Sequence, residues 1–524
     1  MTASSPWAPM RRNAFRALWI AQFASNIGTW AQTVGAQWLM GDLGGTALQV
    51  ALVQAATTLP VFLLVVPSGA LGDILDRRKV LMFGQALMLA GAGLLMVLTA
   101  RDVTTPNVLL ALIALMGVGQ AASMPSFQAI QPELVPREEI PQAALLNGVN
   151  MNVGRAIGPA LGGALIAAAG PEATFAFNTV SFVGVLLVLG FWRRPPDHRP
   201  LGAEHVLTAV RSGARYVRSS PLFSRVLVRC VLFVLFGSAL WALLPAIARG
   251  PLGLGAGGYG ALLGSVGAGA IGGAFLVPRL LRTLGKNVVI TIASCAYAAA
   301  TAIGGITTSI TLAILAMLMA GAGWIAVLST LNATAQVLLP AWTRARALAY
   351  YQLMLMGGQA IGAIVWGAIA DLLDLRWAMV VPAALMALIA LYAVVKLPLT
   401  ERQLDVTPAA VWDEPPEGPD SDDGPVLVTL EWRVDEENSA AFVEAMQRVG
   451  RSRRRTGASM WGLFRDSADP ELYLETFVLA TWQEHLRQHL ERGTAVDATV
   501  QQAARDLAVD NPQVRHLIWA GPPS

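Results

Sequence analysis

The chain has 524 residues, 55% of them hydrophobic and only 14% charged, with a mean hydropathy of +0.53. Soluble domains carry roughly 25% charged residues, so the composition excludes a wholly soluble protein. It points to a polytopic membrane protein with some soluble material attached. A net charge of +3 gives no footprint for a nucleic-acid partner, and the two cysteines, Cys230 and Cys295, fall in apolar stretches, which argues against a disulfide framework.

Arg11, Arg12 and Arg16 lie near the start. The apolar run behind them is long and lacks a small-residue cleavage site, so it reads as a first span and not as a removed signal peptide. Crossing the hydrocarbon core takes about 20 apolar residues. About twelve stretches qualify: 17–40, 47–70, 80–100, 107–130, 143–169, 173–192, 222–248, 256–278, 287–305, 311–336, 346–370 and 377–396. The first carries Gln22, Asn26, Thr29, Thr33 and Gln37, whose steps of three and four put them on one helix face. Amides facing lipid are costly, so this face should line a cavity. Gln120 and Gln128, Asn147 and Asn150, Asn332 and Gln336, and Gln352 and Gln359 are further candidates for the same path. About half of them are expected to be plain interhelical hydrogen bonds.

The loop after the second span reads Gly69, Leu71, Asp73, Asp76, Arg77, Arg78, Lys79 at its key positions. An acid at a helix end beside a basic cluster can latch neighbouring helices together, and an ordinary basic loop is the competing reading. In the fifth span Gly154, Gly158 and Gly162 recur every four residues and form a small-residue face that lets another helix approach. Pro159 removes the helix bond to the carbonyl of Arg155. Counted from Ala143 at about 1.5 Å per residue, Arg155 sits roughly 18 Å into a core about 30 Å thick. An arginine at that depth is a site hypothesis by default. The alternative is a helix that begins lower, with Arg155 bonded to neighbouring carbonyls. No Asp or Glu occupies the middle of a span. A path of amides, aromatics such as Trp30, Trp324 and Trp366, and one arginine suits neutral or anionic amphiphiles better than cations.

Basic residues gather on one side, in loops holding Arg77, Arg78, Lys79, Arg137, Arg193, Arg194, Arg211 and Arg344. The opposite loops hold Arg101, Arg249 and Arg376 with several acids. The positive-inside rule then makes both termini cytoplasmic. The halves repeat at an offset of about 204 residues: Gly119 with Gly323, Pro136 with Pro340, Gly154 with Gly358, Gly158 with Gly362. The expected architecture is an all-α membrane protein of twelve helices in two six-helix repeats, 1–200 and 222–396, joined by a cytoplasmic loop at 201–221. Residues 397–424, rich in Pro, Asp and Glu, read as a disordered linker. In 425–524, Val426, Val428, Leu430 and Trp432 alternate as a strand. Helical spacing follows over 436–450, then a hairpin from 460–464 and 472–477 with its turn at 466–470, a helix over 481–508 and a strand at 514–519. This β-α-β-β-α-β order predicts a small α+β ferredoxin-like soluble domain.

Residues about 10–400 resemble the major facilitator superfamily. Gly69, Leu71, Asp73, Arg77 and Arg78 fit its loop signature G-x-L-x-D-R-x-G-R-[RK], with Asp76 where the family usually has Gly and Ile74 where it often has Arg. The matching site in the second half keeps Gly273 and Arg282 but has no acid. Gly154, Gly158, Pro159, Gly162 and Gly163 match the G-x-x-x-G-P-x-x-G-G pattern of the fifth helix in exporters of the superfamily. The stretches 132–136 and 152–163 look closest to the branch that holds the enterobactin exporter and related drug exporters. The resemblance implies alternating access in the cytoplasmic membrane, outward movement of a siderophore-like or antibiotic-like molecule, and energy from the proton gradient. The membrane-embedded acid and the span-four arginine that many proton-coupled drug exporters use have no match here. Import is the opposite-direction alternative.

The C-terminal part, with Trp461, Trp482, His485 and His489, resembles the antibiotic-biosynthesis monooxygenase family, a dimeric ferredoxin-like fold. A dimerising or regulatory module is favoured over catalysis; a membrane-anchored enzyme acting on an aromatic compound is the rival. His485 and His489 lie one turn apart and could share a metal, but such a pair is more often a solvated helix face, which is the favoured reading. No catalytic residue, cofactor or metal is expected; the expected partners are the bilayer and a small-molecule substrate.

Overall fold

A computed structural model describes residues 7–74, 76–192, 214–340, 342–400, 405–407, 409 and 423–520. Among the described residues, eleven long helices come first: α1 Asn13–Asp42, α2 Ala47–Ile74, α3 Arg77–Ala100, α4 Pro106–Ile130, α5 Ile140–Ala169, α6 Pro171–Phe191, α7 Pro221–Arg249, α8 Ala256–Ile306, α9 Ile310–Leu338, α10 Arg344–Leu372 and α11 Leu375–Lys396. Every stretch expected to span lies within or largely within one of them. The stretches 256–278 and 287–305 share α8, which is broken at Gly285 by φ 73° and ψ 162°. Glycine is needed there because a side chain disfavours that left-handed backbone. Among the described residues, nine helices are long and apolar enough to cross a membrane, the broken α8 counting as one. The two that fall short, α1 and α5, carry the densest rows of amides.

The chain divides into two compact units. The first comprises Met1–Ala203, Val228–Leu331 and Gln352–Pro398. Its interior holds tightly packed apolar side chains such as Met40, Leu95, Leu109, Phe175 and Phe182. Large apolar residues, among them Phe83, Val180, Phe275 and Val395, stand fully out on its helix faces. Water would penalise so much exposed apolar surface, whereas lipid would not.

The second unit comprises Glu204–Leu227, Asn332–Tyr351 and Leu399–Ser524. It holds a four-stranded antiparallel sheet in the order β2-β3-β1-β4, from β1 Val426–Arg433, β2 Met460–Arg465, β3 Leu472–Leu479 and β4 Gln513–Ile518. Alternation puts Val426, Val428, Leu430 and Trp432 of β1 inside, with Tyr473, Phe477 and Leu479 of β3 on the same face. The helix α12, Ser439–Thr456, covers that face with Phe442, Met446 and Val449. The turn at 466–470 is made by Asp466, whose carboxylate accepts from the N–H of Ala468 and Asp469 at 2.7 and 3.1 Å.

One expectation needs correction. The helix expected over 481–508 is two helices, α13 Trp482–Leu490 and α14 Ala495–Arg505. Thr494 and Asp497 form a reciprocal capping box that starts α14 afresh. Most of the stretch read as a disordered linker, like residues 193–213 with Arg193, Arg194 and Arg211, lies outside the described residues. Of its described part, Asp405 and Thr407 accept backbone hydrogen bonds from Val496 and Ala495, both at 3.1 Å.

Candidate translocation site and a C-terminal histidine cluster

In the first unit the small-residue face of α5 lies against α1. A Cβ on Gly154 would come within 2.9 Å of Asn26 Cβ, one on Gly158 within 2.5 Å of Trp30 Cβ, and one on Gly162 within 2.7 Å of the Ala31 carbonyl. These three glycines thus face a helix of the same six-helix group. The contact with the second group belongs to the next residues around the helix. Gly163 meets Gly260 of α8, where a Cβ would lie 2.7 Å from the opposing Cα, and Gly267 of α8 meets Ala156 equally closely. The repeat extends to packing: Gly358 and Gly362 of α10 press on Val234, Leu235 and Ser238 of α7 as Gly154 and Gly158 press on α1.

Part of the polar row of α1 is spent on this seam and on α1 itself. Gln22 Nε2 donates to Asn26 Oδ1 at 3.3 Å, and Asn26 Nδ2 to Asn150 Oδ1 of α5 at 2.7 Å. Asn150 Nδ2 donates to the Trp19 carbonyl and Trp19 Nε1 to the Leu146 carbonyl, both at 3.1 Å. Thr33 turns its hydroxyl back to the Thr29 carbonyl at 2.9 Å. Asn147 also has a polar or ring partner, and Gln359 is half-buried on α10. In the second unit, Gln336 Nε2 donates to Asn332 Oδ1 one turn away at 2.5 Å.

Arg155 is half-buried, with Cζ 5.1 Å from the centre of the Trp30 ring. That cation–π contact is the geometry observed in place of the carbonyl bonding offered as its alternative. No acid among the described residues pairs with Arg155. Trp30 begins an aromatic chain: Trp241 at 6.1 Å, then Trp324 at 5.5 Å, then Tyr297 at 5.7 Å and Phe233 at 5.4 Å. It joins α1 to α7, α8 and α9 across the two sequence halves. Beyond it, Tyr259 donates to Gln37 Oε1 at 2.5 Å, Trp38 stacks on Tyr259, and Arg249 pairs with Asp42 at 2.8 Å.

Sequence reasoning passed over a second cation. Arg229 of α7, 5% exposed, donates to Asn287 Oδ1 at 3.1 Å and lines a cavity of about 30 Å³ with Phe233, Ser294 and Met386. Arg155 is therefore not the only charge within the helices. The signal was legible, since Arg229 stands eight residues inside an apolar stretch.

In the loop motif, the surroundings of Gly69 and the side chain of Asp73 lie outside what the structure describes. Arg77 meets Glu133 at 3.2 Å. Arg78 donates to the carbonyls of Leu189 and Gly190 at the end of α6, at 2.7 and 2.8 Å, while Asp76 caps α3.

In the second unit, His485 and His489 of α13 meet His516 of β4. Ring centres are 4.6 Å apart for His485–His489 and 4.7 Å for His485–His516. Trp482 walls the group at 5.0 Å from His485. This corrects the solvated-face reading: His485 is completely buried and the other two are partly so. Burial, reinforced by the neighbouring rings and Arg453, pushes His485 down to about 3 and His489 to about 4; burial also lowers His516. Burial thus favours the neutral form of all three rings. The adjacent Glu484 accepts from Arg492 at 2.7 and 3.1 Å, and Arg492 lies 5.2 Å over the Trp342 ring.

The architecture of the first unit is that of a polytopic membrane transporter. A bacterial homologue of the lysosomal transporter Spinster, in an inward-facing and occupied conformation, superposes with a TM-score of 0.61 at 15% identity, covering 75% of this chain and 98% of that one. A bacterial homologue of the iron transporter ferroportin gives 0.57 at 19% identity, covering 74% and 98%. Both likenesses speak to fold alone. The model of the transmembrane secretion effector family matches residues 4–522. The chain belongs to this family of major facilitator transporters. Among curated relatives, the staphyloferrin A transporter of Staphylococcus aureus is 28% identical over 171 residues, 32% of this chain and 43% of the relative. The enterobactin exporter EntS of Citrobacter koseri is 27% identical over 238 residues, 45% and 56% respectively. The chain thus spans about half the length of the curated relatives it matches.

Proposed function

We propose that this protein is a twelve-helix exporter of the cytoplasmic membrane that moves a neutral or anionic amphiphile, such as a siderophore, outward by alternating access. The observation that carries the reading is Arg155 on Trp30, at the head of an aromatic chain linking the two halves. A cation against an aromatic wall suits a flat, oxygen-rich anion, and the absence of acids from mid-span argues against a cationic cargo. Two relatives, a staphyloferrin A transporter and an enterobactin exporter, handle siderophores, which belong to this chemical class.

In this reading α5 is the coupling helix. It presents Gly154, Gly158 and Gly162 to α1 and Gly163 to α8, so its position can register which halves are apposed. The Arg77–Arg78 cluster ties α3 to its neighbours, both termini are cytoplasmic, and the proton gradient supplies the energy. The order β2-β3-β1-β4 is read as ferredoxin-like, a module for dimerisation or regulation.

The test is efflux of an iron-chelating anion from intact cells, compared with uptake into inverted vesicles. Export predicts falling cell content and filling vesicles. Accumulation in intact cells would mean import. Deleting 405–524 should leave efflux measurable; loss of efflux together with turnover of an aromatic compound by the full chain would favour the enzyme reading.

A further inference from the structure

We infer that His485, His489 and His516 form a binding site for a borderline divalent d-block ion, represented by Zn²⁺. One ring nitrogen from each lies within 4.8 Å of the other two. Tetrahedral Zn–N bonds of about 2.0–2.1 Å place ligand nitrogens roughly 3.3–3.4 Å apart, so modest ring rotations close the gap. Four buried ring nitrogens lack any hydrogen-bond partner: Nδ1 and Nε2 of His485, Nδ1 of His489 and Nε2 of His516. Buried polar atoms are ordinarily satisfied, and each of the three rings has an unpartnered nitrogen, so each can offer one unprotonated nitrogen to a shared ion.

The donor set selects the ion. Three imidazoles and no carboxylate suit zinc and its first-row neighbours, while magnesium and calcium demand oxygen ligands. Three protein ligands leave a fourth position for water or a small ligand, the open kind of site. Trp482 shuts one side with its ring 5.0 Å from His485 and 5.6 Å from His516. The nearby positive charge of Arg453 is paired with buried Glu475 at 3.0 Å.

Two ligands come from α13 and the third from β4, an outer strand of the sheet that pairs with β1. A bound ion would therefore staple that edge to α13. The same helix carries Glu484, which holds Arg492 over Trp342 in the loop between α9 and α10. Metal occupancy is thereby joined to the segment from which a transport helix begins.

The experiment uses full-length protein in detergent, purified without a polyhistidine tag and treated with chelator. Titration with Zn²⁺ should give one ion per chain and a higher thermal midpoint, and Co²⁺ should show visible absorption bands that Zn²⁺ abolishes. His489→Gln and His516→Gln should each weaken binding on the order of 10-fold or more. On the unaltered protein, Zn²⁺ should protect the partly exposed His489 and His516 from carbethoxylation and leave the two at positions 198 and 205 unprotected. Zinc uptake unchanged in the His489→Gln/His516→Gln double variant, or no selective protection of the native chain, would overturn the assignment. Neither outcome bears on the direction of transport.

Discussion

Arg249 grips Asp42 from a second direction besides charge: its Nη2 lies 2.8 Å from the carboxylate, and its Cζ sits 4.2 Å over the ring of Trp38. The pair closes α1 of the first half against α7 of the second. The two side chains are 36% and 45% exposed, so the ion pair alone contributes at most about 1 kcal/mol. On the proposed alternating access, such a contact is weak enough to open in each cycle. Arg249→Gln and Asp42→Asn should each shift the population of this closed end about 5-fold toward open, read by distances between spin labels on the two helix ends. The exchanged pair, Asp42→Arg with Arg249→Asp, should recover part of the shift; no difference between the singles and the exchange would discard the latch.

The α1–α5 seam predicts a sharp contrast within one helix. Gly158→Val sets a side chain against Trp30 Cβ and the Ile27 carbonyl, and overpacking of this kind costs about 1–3 kcal/mol. Gly148 of the same helix has nothing within 4 Å of where its Cβ would stand. Gly148→Ala should therefore be neutral or raise the thermal midpoint, since alanine is the better helix former by about 1 kcal/mol. Equal effects of the two substitutions on melting and on efflux would contradict the packing described.

Much of this was legible because it is local. Apolar runs of span length and glycines at four-residue spacing gave α1 to α11 and the face of α5. The partner of that face was not legible, since spacing says that a helix approaches but not which one. The split between α13 and α14 was written in Thr494 and Asp497, a capping pair overlooked inside a long amphipathic stretch. His516 was out of reach: only the antiparallel pairing of β4 with β1 brings it to His485, and nothing in the spacing of 31 residues encodes that.

On the proposed function, Arg155 should divide substrates by charge. Arg155→Ala should cut export of anionic compounds about 10-fold or more while leaving neutral ones within about 2-fold, measured as initial efflux rates at matched protein level. Arg155→Lys should rescue only part of the loss, because a lysine lacks the planar face that stacks on Trp30. Uniform loss across both substrate classes would point to a folding role instead.

Within the second unit, Arg492 is worth more than the ring it covers. Trp342→Ala removes a cation–π contact of about 2 kcal/mol when desolvated. Arg492→Ala strips a buried partner from Glu484 and should cost about 3 kcal/mol, the low end of the range because Arg487 still donates to that carboxylate at 3.1 Å. Thermal melts of the full chain should rank Arg492→Ala below Trp342→Ala, and the opposite order would count against the buried pair.

Gly163 and Gly260 meet with no side chain on either, one from each half of the sequence. Nothing is smaller than glycine, so a substitution on one side has no compensating trim on the other. Any added atom must be absorbed by parting the helices themselves. The crossing thus sets a hard stop on how near the two halves can come, and mutational drift can only move it outward.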